Sequence, residues 1–177
     1  MGLFYGNPGA IYHLRAIGRE VTEEINAVKR ELDILEKAGF LTKERRQNRV
    51  LYQVDTKYPL WDDFFRIFAK QTPLVQKVQQ SISRLGKVKF VAMSYAYAQK
   101  AEIAESEIYL LFVGLIVSPE VVSIVKEEEH AFPYEVNYTV MTEEEFAFRK
   151  KNNDPFIWSF LHKPKIMIIG AEGDLMA

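Results

Sequence analysis

Residues 25–54 read INAVKRELDILEKAGFLTKERRQNRVLYQV, and this stretch decides the fold of the N-terminal part of the chain. Its first apolar residues recur every three or four positions: Ile25, Val28, Leu32 and Leu35. This spacing predicts a helix, entered near Thr22, with one buried stripe. Gly39 stands where a left-handed C-cap would end that helix.

Two apolar strands follow Gly39, at residues 40–42 and 50–54, and a polar segment joins them. That segment is Lys43-Glu44-Arg45-Arg46-Gln47-Asn48-Arg49, and residues 42–49 carry a net charge of +3. A turn at Asn7-Pro8-Gly9 and a short helix at about 12–18 are predicted upstream. A charged β-hairpin directly after a helix pair is a wing, so the pattern indicates a winged helix-turn-helix.

A helix of this kind fits the major groove of DNA. The buried stripe leaves Asn26, Lys29 and Arg30 on the outer face. Asparagine suits adenine, arginine suits guanine or phosphate, and lysine mostly holds phosphate. The candidate contacts from the hairpin are Lys43, Arg45, Arg46 and Arg49, which would reach phosphates or the minor groove. The plainer alternative for Lys29 and Arg30 is an ordinary solvated helix face.

The whole chain has 177 residues and a net charge of −1, divided into +2 for residues 1–58 and −3 for residues 59–177. It has no cysteine, which excludes disulfides and thiolate metal sites. No apolar run reaches the roughly 18 residues of a membrane span, and no signal peptide is evident. We therefore expect a cytoplasmic protein that does not associate with a membrane.

The break at Tyr58-Pro59 marks the first domain boundary. An aromatic linker helix is predicted over 59–73 and a second domain over 74–177. In that domain, strands near 88–92, 108–113, 136–141 and 165–170 alternate with helices near 119–129 and 143–151, which predicts an α/β domain with a mixed sheet. The expected fold class is α+β with two domains.

The segment from Leu32 to Leu41 matches the pattern L-x-x-L-E-x-A-G-[FL]-[LI], and with Tyr12-His13-Leu14-Arg15 it resembles winged helix regulators of the ArsR-like type. The resemblance implies that Asn26, Lys29 and Arg30 lie on a recognition helix. The family usually has a full helix before the turn at residues 7–9, whereas only Leu3-Phe4-Tyr5 stand there. We expect either a shortened domain or a sequence that begins inside one.

Residues from about 72 onward are similar to a nucleotidyltransferase-like domain found fused to such winged helices, on the stretches 90–96, 106–114 and 136–146. Active members use a Gly-Ser turn for phosphates, two carboxylates one residue apart for metal ions, and a third acid on a later strand. The corresponding residues here are Met93-Ser94, Glu107 with Tyr109, and Asn137. The resemblance therefore implies the fold without its reaction, and no cofactor is expected.

Two alternatives stay open. Glu105 and Glu107 form an i, i+2 carboxylate pair, which would allow a Mg²⁺-dependent nucleotidyltransferase with a shifted site that modifies a protein or RNA. The chain could instead be a protein-interaction module, such as an antitoxin-like partner. His13, His130 and His162 lack metal-ligand spacing.

The aromatic helix, with Trp61, Phe64, Phe65 and Phe68, would pack a domain junction, form a dimer interface, or both. The leading expectation is a homodimeric transcriptional regulator that binds double-stranded DNA. Its second domain would serve dimerisation, sensing of a small molecule, or binding of a protein partner.

Overall fold

The computed structural model describes residues 1–101, 107–129 and 135–177. Within these ranges the chain is mixed α and β, with ten helices and two separate sheets. It divides into two compact units, Met1–Ala69 and Lys70–Ala177. No helix in the described ranges combines the length and apolar character that a membrane crossing requires.

The first unit alternates short helices with a small sheet. Its elements are α1 (Gly2–Tyr5), β1 (Tyr12–His13), α2 (Leu14–Val21), α3 (Ile25–Lys37), β2 (Leu41–Arg46), β3 (Arg49–Val54) and α4 (Trp61–Ala69). Two predicted bounds are wrong. Tyr12 lies in a strand because it pairs with Tyr52. The α3 helix begins at Ile25 and not near Thr22, because Thr22 ends α2 with a left-handed φ of 57°.

The sheet of this unit is antiparallel, with strand order β1-β3-β2. The hairpin pairs Leu41 with Val54 and closes at the pair Arg46 and Arg49, so its turn contains only two residues. The predicted loop of seven basic and polar residues is therefore wrong, since most of the segment belongs to the paired strands. Gln47 takes a positive φ of 52° in the turn, which suits the right-handed twist of a two-residue hairpin.

The core of the first unit lies between the helix pair and the sheet. Its buried residues include Ile17, Val28, Leu32, Leu41, Tyr52 and Val54. Ile25 is 38% exposed, so its predicted place in the buried stripe is wrong. Its side chain lies at the turn between α2 and α3, where Gly18 leaves room for the Cδ1 atom.

The aromatic side chains of α4 pack on α1, within the first unit. The Tyr5 ring stacks on Trp61 at 4.9 Å and on Phe68 at 4.8 Å between ring centroids. Phe64 meets Phe40 edge-on at 5.0 Å, and Phe65 is 1% exposed. Neither sequence interpretation of this helix, a domain junction or a dimer interface, had named α1 as the packing partner.

The second unit is built around one mixed sheet. Its elements are α5 (Pro73–Gln80), β4 (Gly86–Ser94), α6 (Tyr95–Ala98), β5 (Leu110–Ile116), α7 (Ser118–Glu129), β6 (Tyr138–Met141), α8 (Glu143–Lys151), α9 (Pro155–Leu161), β7 (Lys165–Ile169) and α10 (Glu172–Met176). The strand order is β6-β5-β4-β7, with β5 and β6 parallel and the other pairs antiparallel. The predicted mixed sheet is confirmed.

Both faces of the central strands are buried. Phe90 and Ala92 point to one face of β4, where they join a core that includes Phe146 of α8 and Ile157 of α9. Val91 points to the other face and is fully buried. Such strands read as continuous apolar runs, which is why the sequence predicted them. Helix α9 was missed, although Asp154 caps it by accepting from the Phe156 amide at 2.9 Å.

Candidate nucleic-acid interface

The outer flank of α3 carries the three residues that the sequence singled out. Asn26, Lys29 and Arg30 are all exposed, on the side of the helix away from the buried Val28 and Leu32. Neither Lys29 nor Arg30 forms an ion pair with any described residue. Their charges are therefore available to a ligand in solvent.

The N-terminus of α3 is already occupied by a carboxylate. Glu24 accepts from the backbone amides of Asn26 at 2.9 Å and Ala27 at 3.1 Å, and its other oxygen accepts from the Asn26 side-chain amide at 2.9 Å. A helix N-terminus is ordinarily a ready anion site, so phosphate is not expected there. The Asn26 amide group still has a second N–H and its carbonyl oxygen for a base edge.

The four cations of the hairpin are divided between its two faces, because side chains alternate along a strand. Lys43 and Arg45 share the face of the buried Leu41, which is the face toward the core and α3. Arg46 and Arg49 stand directly opposite each other on the other face. The hairpin therefore presents one small basic surface on each of its two faces, and its cations do not gather at the tip.

An ion pair joins the hairpin to α3. The Lys43 ammonium donates to the Asp33 carboxylate at 3.3 Å and lies 5.9 Å from the Tyr52 ring centroid. The hydrogen bond with Asp33 raises the pKa of Lys43 above its usual value, and the neighbouring Tyr52 adds to this. Asp33 follows Arg30 by three residues, so the two side chains lie on the same flank of α3. The ion pair between Lys43 and Asp33 therefore joins β2 to the flank that carries Arg30. Arg45, two residues further along the same face of β2, extends this surface.

The other face of the hairpin is partly neutralised. Arg46 donates to Glu44 at 2.8 Å, a contact that raises the pKa of Arg46 and lowers that of Glu44. Arg45 and Arg49 are exposed and form no ion pair with a described residue. Of the four hairpin cations, these two have the charge most available to phosphate.

Two exposed arginines of α2 were not among the predicted contacts. Arg15 and Arg19 are one turn apart on α2, and neither forms an ion pair with a described residue. Like charges at this spacing destabilise an isolated helix slightly. That unfavourable spacing, in the helix directly before α3, was the signal that could have identified them.

The second predicted site, in the sheet of the second unit, is narrow. Ser94 ends β4 and accepts from the Tyr97 amide, which makes it the N-cap of α6. Glu107 lies with Ser94 at a cleft of about 10 Å³, the volume of roughly one water molecule. The Lys163 ammonium donates to the Glu107 carboxylate at 2.5 Å and so occupies the place of a cation.

The remaining residues of that site have structural roles. Met93 is 2% exposed, in the core, and Tyr109 is 6% exposed and stacks on Tyr97 at 5.3 Å. The Asn137 carbonyl accepts from the amides of Tyr109 and Leu110 at 2.8 and 3.2 Å. The arrangement brings Ser94 and Glu107 together and uses Tyr109 for packing.

The remaining candidates from the sequence are Glu105, which belongs to the alternative site, and the three histidines. Glu105 and His130 lie outside the described residues. His13 accepts from the Ala16 amide as the N-cap of α2, and the His162 ring lies against Trp158 at 4.9 Å. Across residues 1–101, 107–129 and 135–177, no cluster of three His, Asp or Glu side chains is placed to hold a metal ion.

In comparisons with known proteins, no family model, curated protein or solved structure matches this chain. What its surfaces do is therefore inferred from their own chemistry.

Proposed function

We propose that the chain is a DNA-binding transcriptional regulator that reads double-stranded DNA with α3 and the β2–β3 hairpin. The observation that carries the proposal is the continuity of one basic surface. It runs from Asn26 and Arg30 on α3, through the Asp33–Lys43 ion pair, to Arg45 on β2.

The topology of the first unit supports a winged helix. Two helices precede a hairpin, and the second strand of that hairpin pairs with a short strand at the start of α2. A helix pair followed by a hairpin is what the ArsR-like resemblance implied, and we retain that family as part of the proposal. Winged helix regulators generally bind as two-fold dimers, so we propose a homodimer on two half-sites.

The chemistry of each side chain indicates which part of the DNA it would contact. With α3 in the major groove, Asn26 would contact an adenine edge and Arg30 a guanine or a phosphate. Lys29, Arg45 and Arg49 would hold phosphates, which supplies affinity without sequence preference. Glu24 keeps phosphate away from the N-terminus of α3. We therefore expect α3 to contact DNA through the side chains of its exposed flank.

For the second unit we propose a nucleotidyltransferase-like fold that no longer transfers nucleotides. Among the described residues, the cleft at Ser94 and Glu107 measures about 10 Å³ and the Lys163 ammonium donates to Glu107, and both features argue against a triphosphate bound there. Incubation with labelled ATP, CTP, GTP or UTP and Mg²⁺ tests this. Labelling that Glu107→Gln abolishes would establish the enzyme instead.

Fluorescence anisotropy with duplexes from around the gene tests DNA binding. We expect the logarithm of affinity to fall linearly with the logarithm of salt concentration. Arg45→Ala should weaken binding and reduce that slope by about 0.9, the value for one lost phosphate contact. Lys87→Ala, which removes an exposed lysine of the second unit, is the matched control and should change neither quantity. A DNA affinity that does not depend on salt concentration, or an equal effect of Arg45→Ala and Lys87→Ala on that affinity, would refute the proposal.

A further inference from the structure

The second unit contains a cavity of about 460 Å³ bordered by β4, β5 and helices α8, α9 and α10. This volume is in the range of sites that hold small organic molecules. None of its lining residues belongs to the cleft of Ser94 and Glu107, so the two are separate. The cavity is also independent of the proposed DNA-binding surface, because it lies wholly within the second unit.

Aromatic side chains form the walls of the cavity. Phe90 and Phe146 are both 5% exposed, with ring centroids 6.4 Å apart. Trp158 presents a half-buried indole that is held in place from two sides. Its Nε1–H donates to the Lys150 carbonyl at 3.1 Å, and its ring lies against His162. A flat apolar ligand would therefore meet surfaces that are already ordered.

A bulge brings the first of three lysines to this cavity. The register of β4 against β5 shifts between Val88 and Phe90, which leaves Lys89 as the extra residue. Gly114 allows the shift, because its φ is 145° and a Cβ there would lie 2.2 Å from a backbone oxygen of β4. The Lys89 ammonium donates to Glu143 at 2.7 Å, so this pair has no net charge.

The other two lysines have no carboxylate partner among the described residues. The Lys150 ammonium donates to the Leu175 carbonyl at 2.9 Å and lies 5.5 Å from the Phe146 ring centroid, which leaves two of its N–H groups unused. Lys151 follows it on α8. Asp174 is the one acidic side chain of the described lining outside an ion pair, so two ammonium groups and one carboxylate among these side chains are available to a ligand.

We propose that this cavity is a binding site for a small aromatic monoanion, such as an aromatic carboxylate. The ring would lie among Phe90, Phe146 and Trp158, and the anionic group would accept from the Lys150 and Lys151 ammonium groups. Each charge-assisted hydrogen bond of this kind contributes about a tenfold gain in affinity. The chain would thereby be able to sense a metabolite of this class.

Isothermal titration calorimetry of the full chain without DNA tests the site with three probes of similar shape. These are 1-naphthoate, the neutral 1-naphthalenemethanol and the cationic 1-naphthylmethylammonium. We expect naphthoate to bind about tenfold more tightly than the alcohol and the ammonium compound to bind most weakly. Equal affinities, or tighter binding of the cation, would overturn the proposal.

Variants then locate the binding. Ala147→Trp places an indole in the cavity from the exposed surface of α8 and should abolish binding of naphthoate. Lys150→Met should weaken the binding of naphthoate about tenfold and leave the binding of the alcohol unchanged. Asp174→Asn should tighten the binding of naphthoate. Lys87→Met removes a lysine outside the cavity and should have no effect. Binding of naphthoate that survives both Ala147→Trp and Lys150→Met would refute the site, whatever the outcome of the DNA experiments.

Discussion

The Tyr5 hydroxyl is buried with no hydrogen-bond partner among the described residues, and the residue is 2% exposed. Its ring stacks on the rings of both Trp61 and Phe68. A buried hydroxyl without a partner costs about 1–3 kcal/mol. Tyr5→Phe keeps the ring stack and removes only the oxygen. We therefore expect this variant to raise the free energy of unfolding by about 1 kcal/mol at pH 7.

The same burial makes the effect of Tyr5→Phe depend on pH. Burial raises the pKa of Tyr5 from its usual 10 to about 12. Between these two values the unfolded phenol is ionised while the folded one stays protonated, so stability falls as pH rises. The slope is about 1.4 kcal/mol per pH unit for one group. The advantage of Tyr5→Phe should therefore grow by about 1 kcal/mol between pH 9 and pH 11.

Urea unfolding followed by circular dichroism at both pH values measures the two effects. Tyr138→Phe is the matched control, since Tyr138 is 37% exposed, and it should change stability by less than about 0.5 kcal/mol. If Tyr5→Phe destabilised the protein by 1 kcal/mol or more, the hydroxyl would have a partner and the reasoning would be wrong.

Three further changes test other parts of the structure. Glu44→Gln removes the partner of Arg46 and should tighten DNA binding about two- to fivefold by anisotropy; weaker binding would exclude a phosphate contact by Arg46. Burial raises the pKa of Glu128, which accepts from Tyr97 at 3.2 Å, so the folded state favours its protonated form. Glu128→Gln should therefore be more stable than the natural chain at pH 7 in urea unfolding, by a margin that shrinks as pH falls toward 4.5; a constant margin would contradict this. Gly114→Ala should lower the thermal midpoint and cost about 2 kcal/mol or more, because its Cβ would collide with backbone, and an unchanged midpoint would show that the bulge adapts.

Helices with strong end signals were predictable from the sequence. The bounds of α8 agree with the prediction, because Thr142 caps it at the Glu145 amide and acidic residues fill its first turn. The α3 helix was predicted with its start misplaced, since Thr22 adopts a left-handed conformation that its side chain does not signal.

The candidate site was predictable by residue type but not by geometry. Asn26 and Arg30 face outward as expected, because one buried stripe determines the orientation of a helix. Which face of the hairpin each cation takes depends on strand register, and a polar segment carries no hydrophobic pattern that would set it. The pairs Asp33–Lys43 and Glu107–Lys163 join distant parts of the chain, and the sequence contains no local signal for them.

We propose that α3 reads base sequence while the hairpin holds the adjacent backbone. Selection of bound duplexes from a random library, performed with the natural chain and with Asn26→Ala, tests it most directly. We predict an enriched motif of two inverted half-sites about 10 base pairs apart, with an adenine in each half-site whose preference Asn26→Ala removes while overall binding persists. An absence of any enriched motif, or a motif unchanged by Asn26→Ala, would contradict the assignment of α3 as the recognition helix.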